Sequence, residues 1–264
     1  MSTDYIRELR KIGHDLSNLE VHKMDKTKLT QRICFISATP RRLLDSSAYA
    51  DALKAAKMFS RADFSVYFLA CPEYPKFYEW FIFFLANVSE HFGFVITGFP
   101  VVPPDGLPKE AVAFMMKNRE IKPKRVFKLI NSFKNPLSRI TILINGCPSV
   151  ETWSYGDPLQ QSAPFSLTGT TTTRPSMRTF NKSLPDNLVL MSICARLDVK
   201  DIKDRVQGNV SRFFWLLNKK YKGNPLLSAD ELFKELAEEL RPFGEEAVIY
   251  STTEQTASEK PFLL

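Results

Sequence analysis

Apolar runs of strand length alternate along this chain with stretches whose apolar residues recur every three or four positions. Residues 31–38 (Gln-Arg-Ile-Cys-Phe-Ile-Ser-Ala) form a first run and predict a strand. Residues 46–60 read as a helix on Ala50, Leu53, Ala56 and Phe59. A second strand is predicted over residues 63–70 and an aromatic-rich helix over 74–89. A third strand, residues 92–98 (Phe-Gly-Phe-Val-Ile-Thr-Gly), precedes a basic helix, and a fourth covers residues 139–147. Strands that alternate with helices predict a parallel sheet covered on both faces.

The rhythm breaks at residues 150–185, rich in Ser, Thr, Gly and Pro, which predict a long loop. It returns with a fifth strand at 187–194 and a helix on Val210, Phe213, Phe214 and Leu217. Ser228 with Glu231 three residues on forms a capping box that opens another helix. A last short strand is predicted at 246–251. Residues 1–29 read as a polar helical extension, with Ile6, Leu9 and Ile12 roughly on one face.

The 264 residues, 44% of them apolar, suffice for one sizeable core. Cys34, Cys71, Cys147 and Cys194 show no metal-type spacing, and their plain reading is as small buried hydrophobes. The charged start of the chain has no apolar signal core, and the longest apolar stretch, residues 80–88, is too short to span a bilayer. A reducing, cytoplasmic setting without a disulfide framework is the expectation. No glycine-rich phosphate loop appears, so nothing anchors a nucleotide cofactor, and none is expected.

The net charge of +7 is concentrated. Residues 117–139 hold eight Lys or Arg against one acid, Glu120. Val126, Leu129, Ile130 and Phe133 recur there at helical spacing, which predicts an amphipathic helix with a solvated basic face. The sharper reading is a patch for an acidic partner. Phe127 and Phe133 are assigned to packing, and with no nucleic-acid motif present, nucleic acid is not the expected partner.

The chemistry centres on the fourth strand, which ends Asn145-Gly-Cys147-Pro-Ser-Val150. A thiol where a strand runs out lies at the carboxyl edge of an open α/β sheet, where such folds place their sites. The matching third strand ends Gly98-Phe99-Pro100. A free thiol is mostly protonated near neutrality and needs a base beside it. Of the three histidines, His91 precedes the third strand, roughly 26 Å from Phe99, near the opposite edge of the sheet. His14 and His22 would have to fold across the sheet edge to help.

The order of elements and these local segments resemble the caspase-like cysteine peptidases, in particular the short metacaspases of protists, over about residues 30–262. The resemblance implies a caspase-like three-layer α/β sandwich of about six mostly parallel strands flanked by helices. It puts Cys147 in the nucleophile's position and Phe99 where the family carries its general-base histidine. Asp51, in Ala48-Tyr-Ala-Asp-Ala-Leu, matches an acid of the substrate pocket, and Arg196, in Met191-Ser-Ile-Cys-Ala-Arg196, stands where a second acid is found. Arg196 equally suits an exposed pairing with Asp198 or Asp201. Residues 259–263 (Glu-Lys-Pro-Phe-Leu) are similar to the family's last segment.

Asn145, Pro148 and Val150 replace the family's aspartate, histidine and glycine around the nucleophile, and Pro148 removes a backbone N–H beside the thiol. The expectation is a degenerate pseudopeptidase that binds a protein or peptide ligand, an active metacaspase relative among the candidates, with no cofactor, metal or membrane span. The alternative is an active cysteine endopeptidase using Cys147 with a non-standard base.

Overall fold

A computed structural model describes residues 2–40, 46–98, 100–101, 113–117, 119–121, 123–135, 138–147, 178–179, 187–195, 209–243, 245–251 and 261–263. The strands are β1 (His14–Asp15), β2 (Arg32–Thr39), β3 (Ser65–Ala70), β4 (His91–Gly98), β5 (Pro100–Val101), β6 (Ala113–Met115), β7 (Glu120–Ile121), β8 (Arg139–Cys147), β9 (Arg178–Thr179), β10 (Leu188–Ala195) and β11 (Glu245–Ser251). The helices are α1 (Ser2–Ile12), α2 (Ser47–Arg61), α3 (Tyr74–Asn87), α4 (Pro123–Phe133), α5 (Arg212–Gly223) and α6 (Ala229–Leu240).

The main sheet has the order β1-β3-β2-β4-β8-β10-β11-β9. Its first six strands run parallel, β11 turns antiparallel to β10, and β9 lies parallel to β11. This is the flanked parallel sheet that the alternating pattern predicts. Strands β5, β6 and β7 form a small antiparallel sheet after β4.

Strand alternation divides the core in two. Cys34, Ile36, Val95, Leu143, Val189 and Met191 point to one side, where α1, α2, α5 and α6 cover them. Ile33, Phe35, Phe92, Phe94, Ile142 and Leu190 point to the other, under α3 and α4. The second side is aromatic: Phe94 packs at 4.7 Å from Phe81, 6.0 Å from Phe77 and 6.0 Å from Phe35 between ring centroids. On the first side Gly93 lets α2 approach, since a Cβ there would stand 2.5 Å from the Phe59 ring.

Two details depart from the sequence pattern. After α1 the chain turns at Gly13 and contributes β1 to the sheet edge beside β3, while Leu9 and Leu16 are fully buried. A two-residue strand leaves no periodicity to read. Phe133, assigned to packing, is 43% exposed, whereas Val126, Phe127 and Ile130 are buried. It is the last residue of α4 and lies past the stripe that those three lay on the sheet.

The amino edge carries an unusual load. Arg32, His91 and Arg139 stand side by side in register on β2, β4 and β8. Residues 261–263 strap across this edge: Arg139 Nη1 donates to the Pro261 carbonyl at 2.8 Å and Arg32 donates to the Leu263 carbonyl. Ser228 bridges to Pro261, and Phe262 and Leu263 are fully buried. Beneath them His91 Nε2 lies 2.8 Å from Thr141 Oγ1, with its ring against Phe64. Burial, then the adjacent Arg139 and Arg32, hold this imidazole well below its usual pKa.

The sign of the resulting linkage is set by that depression. Above about pH 6.5 His91 is neutral in both folded and unfolded chains and contributes no slope. As pH falls below that value the unfolded chain takes up a proton that the native chain refuses, so stability drops by up to about 1.4 kcal/mol per pH unit from this group. Urea midpoints at pH 7.5, 6.5 and 5.5 are expected to fall more steeply for the wild type than for His91→Gln. Parallel pH dependences in the two proteins would contradict the assignment.

Candidate functional site

The carboxyl ends of β2, β4 and β8 hold a buried polar cluster. Gly98 closes β4 with φ of 146°, and a Cβ on it would lie 2.1 Å from the Thr39 carbonyl oxygen, so this position demands glycine. Thr39 Oγ1 donates to the Thr97 carbonyl at 2.9 Å, and Thr97 Oγ1 donates to the Ala48 carbonyl of α2 at 2.7 Å. These bonds fix where the chain leaves β4 toward Phe99.

Asp51 is the centre of the cluster. It lies in the second turn of α2 and is 1% exposed. Its Oδ2 accepts a 2.6 Å hydrogen bond from Asn145 Nδ2 on β8, and its Oδ1 accepts one of 2.6 Å from the Ser211 backbone N–H. Ser211 in turn caps α5 through its side chain, which accepts from the Phe214 N–H at 3.3 Å. Asn209 Nδ2 donates to Ser46 Oγ at 3.2 Å, next to the start of α2. One buried carboxylate thus joins a helix, a strand and the cap of a second helix, which is how a buried charge is tolerated.

Two sequence-derived site residues, Asp51 and the nucleophile-segment Asn145, therefore meet. Ser211, Asn209 and Thr97 belong to the same cluster and were not found by sequence reasoning. The cap signal of Ser211 before Phe213 and Phe214 was available for the first of them; nothing local marks the other two.

Cys147 ends β8, with its backbone paired to Cys194 of β10 just past a register shift between Ser192 and Cys194. The thiol of Cys147, together with Phe99, Pro148, Arg196 and most of the 150–185 segment, lies outside the described residues. Of the cysteines whose side chains are described, Cys34 is fully buried and Cys71 half-buried, and burial pushes both thiols up in pKa. Neither has the depressed pKa of a reactive thiolate.

All three histidines are described, and none stands at this edge. His91 pairs with Arg139, at the opposite end of β8 from Cys147. His14 sits on β1, four strand positions from β8 in the sheet, or about 19 Å by strand spacing. His22 lies outside α3, 3.2 Å from Glu20. Among the described residues no group of three His, Cys, Asp or Glu is placed to hold a metal ion, and no helix is long and apolar enough to cross a membrane.

Removing the Asp51 carboxylate leaves the Asn145 amide and the Ser211 N–H buried without their acceptor. Asp51→Ala is expected to cost about 2–4 kcal/mol of stability, read from denaturant midpoints. Combined with Asn145→Ala, the two losses should fall short of additivity by about 1–3 kcal/mol, as for directly bonded partners. Strict additivity would mean that the two side chains do not interact.

No protein-family model matches the chain, and no curated protein matches it in sequence. In three dimensions it is similar to caspase-1 from Spodoptera frugiperda, with a TM-score of 0.55 and 11% identity over 84% of this chain and 86% of that one. It is also similar to pro-sf-caspase-1, with a TM-score of 0.51 and 10% identity over 83% and 86% of the two chains. Identity this low shows a shared architecture and nothing of activity. The α/β sheet of this chain, parallel through six strands and flanked by helices, has the caspase fold.

Proposed function

We propose that this caspase-like chain is a catalytically degenerate, metacaspase-like pseudopeptidase that acts by binding a protein or peptide ligand rather than by cutting it. The observation that carries the reading is the placement of the histidines. The chain has three, and His14, His22 and His91 all lie away from the carboxyl end of β8, where Cys147 stands. A cysteine peptidase needs an imidazole there to take the thiol proton and to protonate the leaving amine.

The sequence supports the same reading. Phe99 follows Gly98 where the resemblance asks for the base, and Pro148 offers no N–H to an oxyanion beside Cys147. Arg196 brings a positive charge to a position that holds an acid in the family. Asp51, the acid retained, is already bonded to Asn145 and Ser211.

The test uses peptide-based thiol-reactive probes and a panel of cleavable peptides on the wild type and Cys147→Ala. The expected result is no Cys147-dependent turnover on any peptide of the panel. Probe labelling that disappears in Cys147→Ala, together with peptide cleavage lost in the same variant, would overturn the proposal and establish an endopeptidase with a non-standard base.

A further inference from the structure

We infer that Arg119 and Arg125, stacked on Tyr74 at the start of α3, form an anion-binding site that takes the phosphate of a phosphorylated peptide segment. The Arg119 guanidinium carbon lies 4.9 Å from the centre of the Tyr74 ring, and that of Arg125 lies 5.3 Å from the same ring. Arg125 also lies over Tyr78, at 4.7 Å. The two rings are locked to each other edge to face at 4.7 Å. Both guanidinium groups therefore rest on aromatic rings while staying open to solvent.

The backbone fixes the same geometry. Arg119 sits in the turn between β6 and β7, where its carbonyl accepts from the Met116 N–H at 2.8 Å. The hairpin is tied to the chain entering α3 by the Lys117 N–H, which donates to the Pro72 carbonyl at 3.0 Å. Arg125 lies in the first turn of the 11-residue helix α4, which has no acidic residue in that turn. The positive end of the helix dipole thus adds to the two arginines without an internal counter-charge.

What points to a ligand is the unanswered charge. Both arginines are exposed, and among the described residues neither has a carboxylate partner; nor does Lys128, also exposed. The nearby Glu73 is already engaged by Lys117 at 3.1 Å. A planar guanidinium offers paired N–H donors suited to phosphate oxygens, and one held on a ring loses less freedom on binding than a mobile lysine. The sequence around these arginines carries no nucleic-acid motif, which favours a peptide over a nucleic acid. A phosphorylated side chain on a peptide meets these conditions.

The measurement is fluorescence anisotropy with a labelled Gly-Ser-Gly-phosphoserine-Gly-Ser-Gly peptide, its unphosphorylated form, and a single-stranded oligonucleotide. The phosphopeptide is expected to bind at least about tenfold more tightly than the unphosphorylated one and to be displaced by inorganic phosphate. Arg119→Ala with Arg125→Ala should lower its affinity about tenfold or more, with the thermal midpoint recorded alongside. Arg119→Lys with Arg125→Lys keeps the charge but not the fork, and should still lose several-fold. This lysine pair decides the matter if the alanine pair fails to fold. Equal binding of both peptides, tighter binding of the oligonucleotide, or unchanged affinity in the lysine pair would each overturn the site.

Discussion

A parallel sheet covered on both faces leaves polar side chains no place except its two ends, and that constraint sorts this whole chain. Residues of β2, β4, β8 and β10 feed two separate apolar cores on alternate sides. The polar groups of the same strands collect at their termini. Thr39, Thr97 and Asn145 gather at the carboxyl end, and Arg32, His91 and Arg139 at the amino end. Each end is then closed by chemistry suited to what it holds. Asp51 accepts from amide donors at one, and the backbone carbonyls of residues 261 and 263 accept from guanidinium groups at the other.

Much of this was legible in the sequence because burial on both faces writes strands as unbroken apolar runs. The predicted strands over 31–38, 92–98 and 139–147 fall within a residue or so of β2, β4 and β8. The capping box was legible too: Ser228 Oγ accepts from the Glu231 N–H at 3.2 Å, and Glu231 Oε2 accepts from the Ser228 N–H at 2.9 Å. Strands of two or three residues, such as β1, β7 and β9, are too short to impose a period. The union of Asp51 with Asn145 was not legible, because the two residues are 94 positions apart and no local rule pairs a helix carboxylate with a strand amide.

The candidate site was legible as a place before it was legible as chemistry. A thiol at the end of β8 and an acid on the crossover helix α2 are fixed by topology, which the apolar pattern carries well. Whether such groups react depends on side chains brought from distant elements, and here Asp51 receives the Asn145 side-chain amide and the Ser211 backbone N–H. A buried carboxyl group held by fixed donors rigidifies the sheet end. The caspase fold of this chain has a polar edge braced from within.

The strap of residues 261–263 bears on how the fold is reached. Arg32 and Leu263 are 231 residues apart, and Arg139 and Pro261 are 122 apart. Contacts of such long sequence separation must be assembled against a large loss of chain entropy, and they raise contact order and slow folding. During synthesis the ladder of β2, β4 and β8 emerges long before the segment that covers its amino end. Until then two guanidinium groups and a histidine face water where they will later lie buried, so this end of the sheet is the last to be sealed.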